Sequence, residues 1–151
     1  ACYHGQTETA KLIVQSSKDF GIDLNAKGNY GSTALHHACF NGKTETAQLI
    51  IQSSKDFGID LNAKDDDGWT ALHFACNRGQ TETVQMMLKN WKEFGIDIKA
   101  QNNRGQTALD LINHREGQEI NQIKKMVETE YSQIFVTESL QDVLFAFGHS
   151  I

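Results

Sequence analysis

Six histidines, three cysteines and a run of three aspartates are the residues of this 151-residue chain whose types could do chemistry. His36 and Cys39 stand three apart, as do His73 and Cys76, a spacing that sets two side chains on one helix face. Such a pair could join a thiol nucleophile to a base, but no orienting acid and no oxyanion device accompanies it. A metal reading fares no better. His36 and His37 are neighbours, and adjacent helical residues point about 100° apart, so they cannot readily share an ion. Cys2, Cys39 and Cys76 form no CxxC pair, and their odd number argues against a disulfide framework. Asp65-Asp66-Asp67 has the look of a calcium loop but lacks the glycine at the sixth position and the glutamate at the twelfth. The expectation is a protein with no catalytic residue, no metal and no cofactor.

The elements that carry these residues recur. QSSKDFGIDLNAK occupies Gln15–Lys27 and again Gln52–Lys64, and a degraded copy, KNWKEFGIDIKAQ, lies a further 37 residues on at Lys89–Gln101. Self-similarity at such a period marks a stacked repeat, in which the core lies between neighbouring units. The modest hydrophobic fraction of 39% suits that architecture. A net charge of −5 with mixed signs gives no basic field for nucleic acid, and no apolar run approaches a membrane span. Thiols spaced by the repeat suit a reducing interior, so an intracellular location, cytoplasmic or nuclear, is expected.

Within each unit the chemistry reads as two helices. Thr33–Asn41 and Thr70–Arg78 are short and close at glycine. Thr44–Phe57 and Thr81–Phe94 follow, opening with Thr-Glu-Thr, whose hydroxyl and carboxylate suit the first turn of a helix. Gly58–Trp69 reads as an extended loop or hairpin, rich in Asp and Asn beside glycine. Nine of the twelve glycines fall on three ladders, one containing Gly5, Gly42 and Gly79, and each ladder predicts a turn.

Gly-x-Thr-Ala-Leu-His-x-Ala at Gly31–Ala38 and Gly68–Ala75, the later glycine and the Gly-Ile-Asp-Leu-Asn-Ala close resemble the ankyrin repeat family over roughly residues 1 to 128. The resemblance implies an all-α solenoid of helix-turn-helix-loop units. It also implies that His36 and His73 hydrogen-bond backbone and the nearby threonine. Ala34, Ala71 and Ala108 stand where the family favours proline. Each unit is four residues longer than the family's usual 33. The extra residues fall near Ser53–Phe57, adding about one turn and stacking Phe20, Phe57 and Phe94 along the array.

The expected units are 1-27, a partial first repeat truncated at its amino end; 28-64; 65-101; and 102-130, a capping repeat. In the last, Lys124 and Lys125 replace Met87 and Leu88 and turn one face to water, while Ile120, Ile123 and Val127 still pack. Residues 131-151 break the period. Leu140, Val143, Leu144 and Phe147 read as a helix with Ser139 as cap and Gly148 as stop, closing over the last repeat or docking on a partner.

Function is expected where the copies disagree. These residues are Tyr30, Ser32, Phe40, Asn41, Asp67, Trp69, Asn77, Arg78, Arg104, Gln106, His114 and Arg115, on loop tips and first helices. The resemblance implies that this concave surface binds partners, and Tyr, Trp and Arg are favoured interface anchors. The reading is a non-catalytic interaction module, a fragment of a larger intracellular protein. It is expected to be a monomeric array that binds another protein or peptide, with no nucleic acid, membrane or small-molecule substrate. The alternative, also implied by the resemblance, is an array modified at Asn25 and Asn62 by an oxygen-dependent asparaginyl hydroxylase.

Overall fold

Where the repeat spaces its apolar residues three and four apart, the chain is helical. A computed structural model describes residues 2–113 and 115–148, with side chains from residue 6 onward. The first helices of the units are α2 (Ala34–Phe40), α4 (Ala71–Asn77) and α6 (Ala108–Ile112). The second helices are α1 (Cys2–Phe20), α3 (Thr44–Phe57), α5 (Thr81–Phe94) and α7 (Gln118–Gly148). No strand occurs among the described residues. α2, α4 and α6 pack side by side as one layer, and α1, α3, α5 and α7 as the other. Between the layers Ile51, Leu72, Met87, Ile112 and Ile123 are fully buried.

Both long second helices begin and end where the sequence places them, but their caps differ from expectation. Lys43 and Gln80 occupy the caps and make no side-chain cap bond. The Thr44 hydroxyl instead meets that of Thr83, 2.8 Å away in the next unit. The expected stack of phenylalanines is also corrected. Lys18 lies 5.0 Å over the Phe57 ring and Lys55 4.9 Å over Phe94, so these two rings take a lysine from the preceding unit. Gly5 makes no turn: α1 runs through it. At Gly42 the corner is held by Lys43 N–H donating to the Ala38 carbonyl at 2.8 Å, whereas the matching acceptor for Gln6 would be Ala1, outside the described residues.

The carboxyl-terminal helix departs furthest from the sequence reading. α7 is one helix of 31 residues that crosses the expected boundary after residue 130, and Ser139 lies inside it rather than capping it. It packs against the preceding unit only as far as Ile134. Trp91 Nε1 donates to Glu130 at 2.7 Å and the Tyr131 hydroxyl donates to the Ile98 carbonyl at 2.7 Å. Beyond Ile134 the side chains are exposed. Lys124 does not turn to water: its ammonium donates to the Asn113 and Arg115 carbonyls, just past the end of α6.

Between units the chain forms three fingers of one pattern. Gly28, Asp65 and Asn102 each donate N–H to the carbonyl four residues on, at 2.8 to 3.0 Å. Adjacent fingers are tied by Asp66 N–H to the Tyr30 carbonyl and Asn103 N–H to the Asp67 carbonyl, both 3.0 Å. Gly31 and Gly68, at φ +71° and +78°, lie under these ties. A Cβ on either would sit within 3.0 Å of the next finger's amide nitrogen, so only glycine fits.

The fingers differ in one internal support. Asp65 Oδ1 accepts the N–H groups of Asp67 and Trp69, and Asn102 Oδ1 those of Arg104 and Gln106. The first finger begins with Gly28 and has no such acceptor; there Tyr30 adopts φ +60°, ψ +20°, the lone positive-φ non-glycine among the described residues. Gly28 itself has φ −89° and room for a Cβ, the nearest atom lying 3.7 Å away. Gly28→Asp should therefore restore the acceptor and reduce chain freedom, raising unfolding stability by about 1 kcal/mol in urea titration. A loss of stability would contradict this account of the finger.

Candidate partner-binding surface

The second and third fingers are each set against the first helix behind them by an imidazole. Thr33 ends the finger and caps α2, and its N–H donates to His36 Nδ1 at 2.9 Å, with the Thr33 hydroxyl 2.8 Å from the same nitrogen. His36 Nε2 lies 2.9 Å from the Trp69 carbonyl in the next finger. Since Nδ1 must accept from an N–H and Nε2 must donate to a carbonyl, the ring is the neutral Nε2–H tautomer. His73 repeats the arrangement with Thr70 at 3.1 and 2.8 Å and the Gln106 carbonyl at 2.9 Å. Asp110 takes this place in α6, where it accepts from Thr107 N–H and hydroxyl at 2.8 and 2.9 Å. No further finger follows α6 in the described chain, so one acceptor suffices. Burial lowers the pKa of both histidines, against the opposing hydrogen bonds to the Trp69 and Gln106 carbonyls.

In front of these bridges an open cleft of about 300 Å³ runs between the first and second fingers and α2 and α4. Its rings are Tyr30, Phe40 and Phe74, its carboxylates Asp65 and Asp67, and Ser32, His36 and His37 complete the lining. Trp69 is half-buried with its ring 5.1 Å from Phe74, Phe74 is 5.9 Å from Phe40, and the Arg78 guanidinium lies 4.5 Å over Phe40. The four side chains thus form a continuous line on one side of the stack. Tyr30, 81% exposed, stands at the outer lip.

The twelve residues singled out by variation between copies fall in several places. Tyr30, Ser32, Phe40 and Asp67 line this cleft, and Trp69 adjoins it through its ring on Phe74 and Arg78 through its guanidinium over Phe40. Asn41 belongs to a separate cleft at the start of α3, and Arg115 to one beneath α7. Arg115 donates to the Asn77 carbonyl, which ties those two residues together. Gln106 is half-buried and structural, its carbonyl taken by His73, while Arg104 is exposed at its fingertip. His114 lies outside the described residues. His36 and Asp65 also line the cleft without having been singled out by variation, and Phe74 and His37, which share one register, were missed. The copies differ at this register too, so comparison one position further along the helix finds them.

The remaining chemistry-bearing residues are structural. Asn25 Nδ2 donates to the Gly58 carbonyl at 2.9 Å while its Oδ1 accepts Asp60 N–H at 2.7 Å. Asn62 repeats this with Gly95 and Asp97 at 2.8 and 2.7 Å. Both carboxamides are clamps between units. Cys39 and Cys76 are free, buried thiols whose pKa burial pushes up to about 12, which makes them inert. The side chain of Cys2 lies outside the described ones. Among the described residues no three His, Cys, Asp or Glu side chains could hold a metal ion, and no helix is long and apolar enough to cross a membrane.

A stack of paired helices with fingers tied edge to edge, and a threonine cap bridged to histidine in α2 and α4 and to aspartate in α6, defines a class of repeat protein. Residues 17–75 and 55–112 match the family model described as ankyrin repeats (many copies), and the chain belongs to the ankyrin repeat family. No curated protein matches it.

The bridges make stability depend on pH in a stated direction. Unfolded, both histidines titrate near 6.5; folded, their pKa is lower. Below about 6.5 the unfolded chain therefore binds more protons, so this stability is full above that pH and is lost as pH falls toward the folded value. Urea unfolding should show lower stability at pH 5.5 than at 7.5. In His36→Gln/His73→Gln, stability should be lower at 7.5 and the decline shallower; an equal decline would assign the effect to other groups.

Proposed function

We propose that the array is a non-catalytic interaction module, part of a larger protein, that binds a partner protein or peptide on its finger and first-helix surface. The observation that carries this reading is the cleft of Tyr30, Phe40 and Phe74, where residues that differ between copies cluster while the bridges behind them repeat. Tyr30 adds to it. A non-glycine at positive φ is unfavourable, and such strain gathers where function needs a side chain held outward. Free buried thiols at Cys39 and Cys76 support work in a reducing compartment, the cytoplasm or nucleus.

Modification of Asn25 and Asn62 by an oxygen-dependent asparaginyl hydroxylase has only the motif in its favour. Both carboxamides already hold the next unit at both ends, so an enzyme would have to open the loop first.

Affinity capture from cell lysate separates fold from function. Proteins retained by the wild-type array should be lost from Tyr30→Ala and Arg78→Ala, with affinity weakened by about 1–2 kcal/mol or more for each anchor. Thermal midpoints of these exposed variants should stay close to wild type. Leu72→Ala should instead lose about 2–5 kcal/mol of stability through a core cavity. Retention of the same proteins by both surface variants would remove this cleft from the reading.

A further inference from the structure

α7 carries two apolar stripes on opposite faces. At about 100° per residue, Ile120, Ile123, Val127, Tyr131 and Ile134 fall on one side, which packs against the array. From residue 136 onward the stripe is Val136, Leu140, Val143 and Phe147, about half a turn away and spaced four, three and four as in a coiled-coil seam. The helix does not break between them, and these four side chains are 48 to 70% exposed. A helix serving only to cap the array would keep its stripe in one phase. This one presents its distal ridge away from its own array.

The same seam, continued toward the amino end, passes the exposed Gln133 and Thr129 and the half-buried Met126, which packs in part against the array. There α5 and α7 enclose an open groove of about 500 Å³, with Leu88, Trp91 and Met126 as its apolar lining and Lys89 and Lys125 among its charged residues. Ridge and groove thus lie on one helix, on one face, on either side of residues 134 and 135. The helix's negative, carboxyl-terminal end has no basic residue in its last turn, so it complements the groove's lysines. Neither Glu138 nor Asp142, the only charged residues from 135 to 148, lies on the ridge, so no like charges oppose one another across it.

We propose that α7 pairs antiparallel with α7 of a second copy, each distal ridge seated in the other's groove about a two-fold axis near residues 134 and 135. The register sets Leu140 against Thr129 and Val143 against Met126 of the second copy, with Leu144 beside Lys125. The contact is made twice, and it supersedes the expectation of a monomeric array. It uses the face of the stack formed by α5 and α7, leaving the finger cleft open.

Sedimentation equilibrium of the full chain over a hundredfold concentration range should show a monomer–dimer equilibrium. Leu140→Glu/Val143→Glu should abolish the dimer with helical content unchanged, since both positions are exposed, and Lys89→Glu/Lys125→Glu should weaken it at least threefold. In a Cys2→Ser background, the pair Leu140→Cys/Thr129→Cys should cross-link between copies on mild oxidation, while Leu140→Cys alone should not. A chain that stays monomeric at every concentration overturns the proposal. Cross-linking by Leu140→Cys alone, or a dimer indifferent to the lysine reversal, overturns the antiparallel groove register.

Discussion

Uncharged imidazoles join the second unit to the third and the third to the fourth, and the rest of the array is arranged around them. His36 must accept from Thr33 N–H and donate to the Trp69 carbonyl, and His73 must do the same for Thr70 and Gln106. One ring therefore satisfies a helix cap and an otherwise unpaired carbonyl of the following finger. Either group, left unpaired where it is buried, would be unfavourable by about 1–3 kcal/mol. Asparagine clamps and lysine contacts repeat the same principle at the outer edge: Lys27 donates to the Lys64 carbonyl and Lys64 to that of Gln101, both at 2.7 Å. Cohesion along the stack thus rests on polar bonds at a fixed register as well as on the apolar layer between helices.

That register explains why most chemistry-bearing residues do no chemistry. Histidine stands where a finger follows, at His36 and His73, and aspartate at Asp110, after which no further finger follows among the described residues. Cysteine sits where a small apolar side chain fits between helices, with Cys39 Sγ 3.7 Å from Met87 Sδ. What remains free to vary is the outer surface of fingers and first helices, and variation there assembles the Tyr30, Phe40 and Phe74 cleft.

The period made the fold legible: once the unit was set, the bounds of α3 and α5 followed from local chemistry, while the role of His36 came with the family resemblance. Three features were not legible for physical reasons. The conformation of Tyr30 depends on the missing acceptor at Gly28, a relation across two residues that no single-position pattern carries. Lys124 reads as a solvent-facing charge, yet its long stem lets it bind two carbonyls beyond the end of α6. The unbroken course of α7 was hidden because its two apolar stripes lie in opposite phase, which resembles two helices joined near residue 130.

The tautomeric state of His36 and His73 tests the central claim most directly. Long-range nitrogen–proton correlation spectra of the folded chain at pH 7.5 should show both rings as the neutral Nε2–H form with Nδ1 unprotonated, and on acidification both rings should take up their proton below the ordinary imidazole range. An Nδ1–H tautomer at either position, or titration at or above the ordinary imidazole value, would contradict the account.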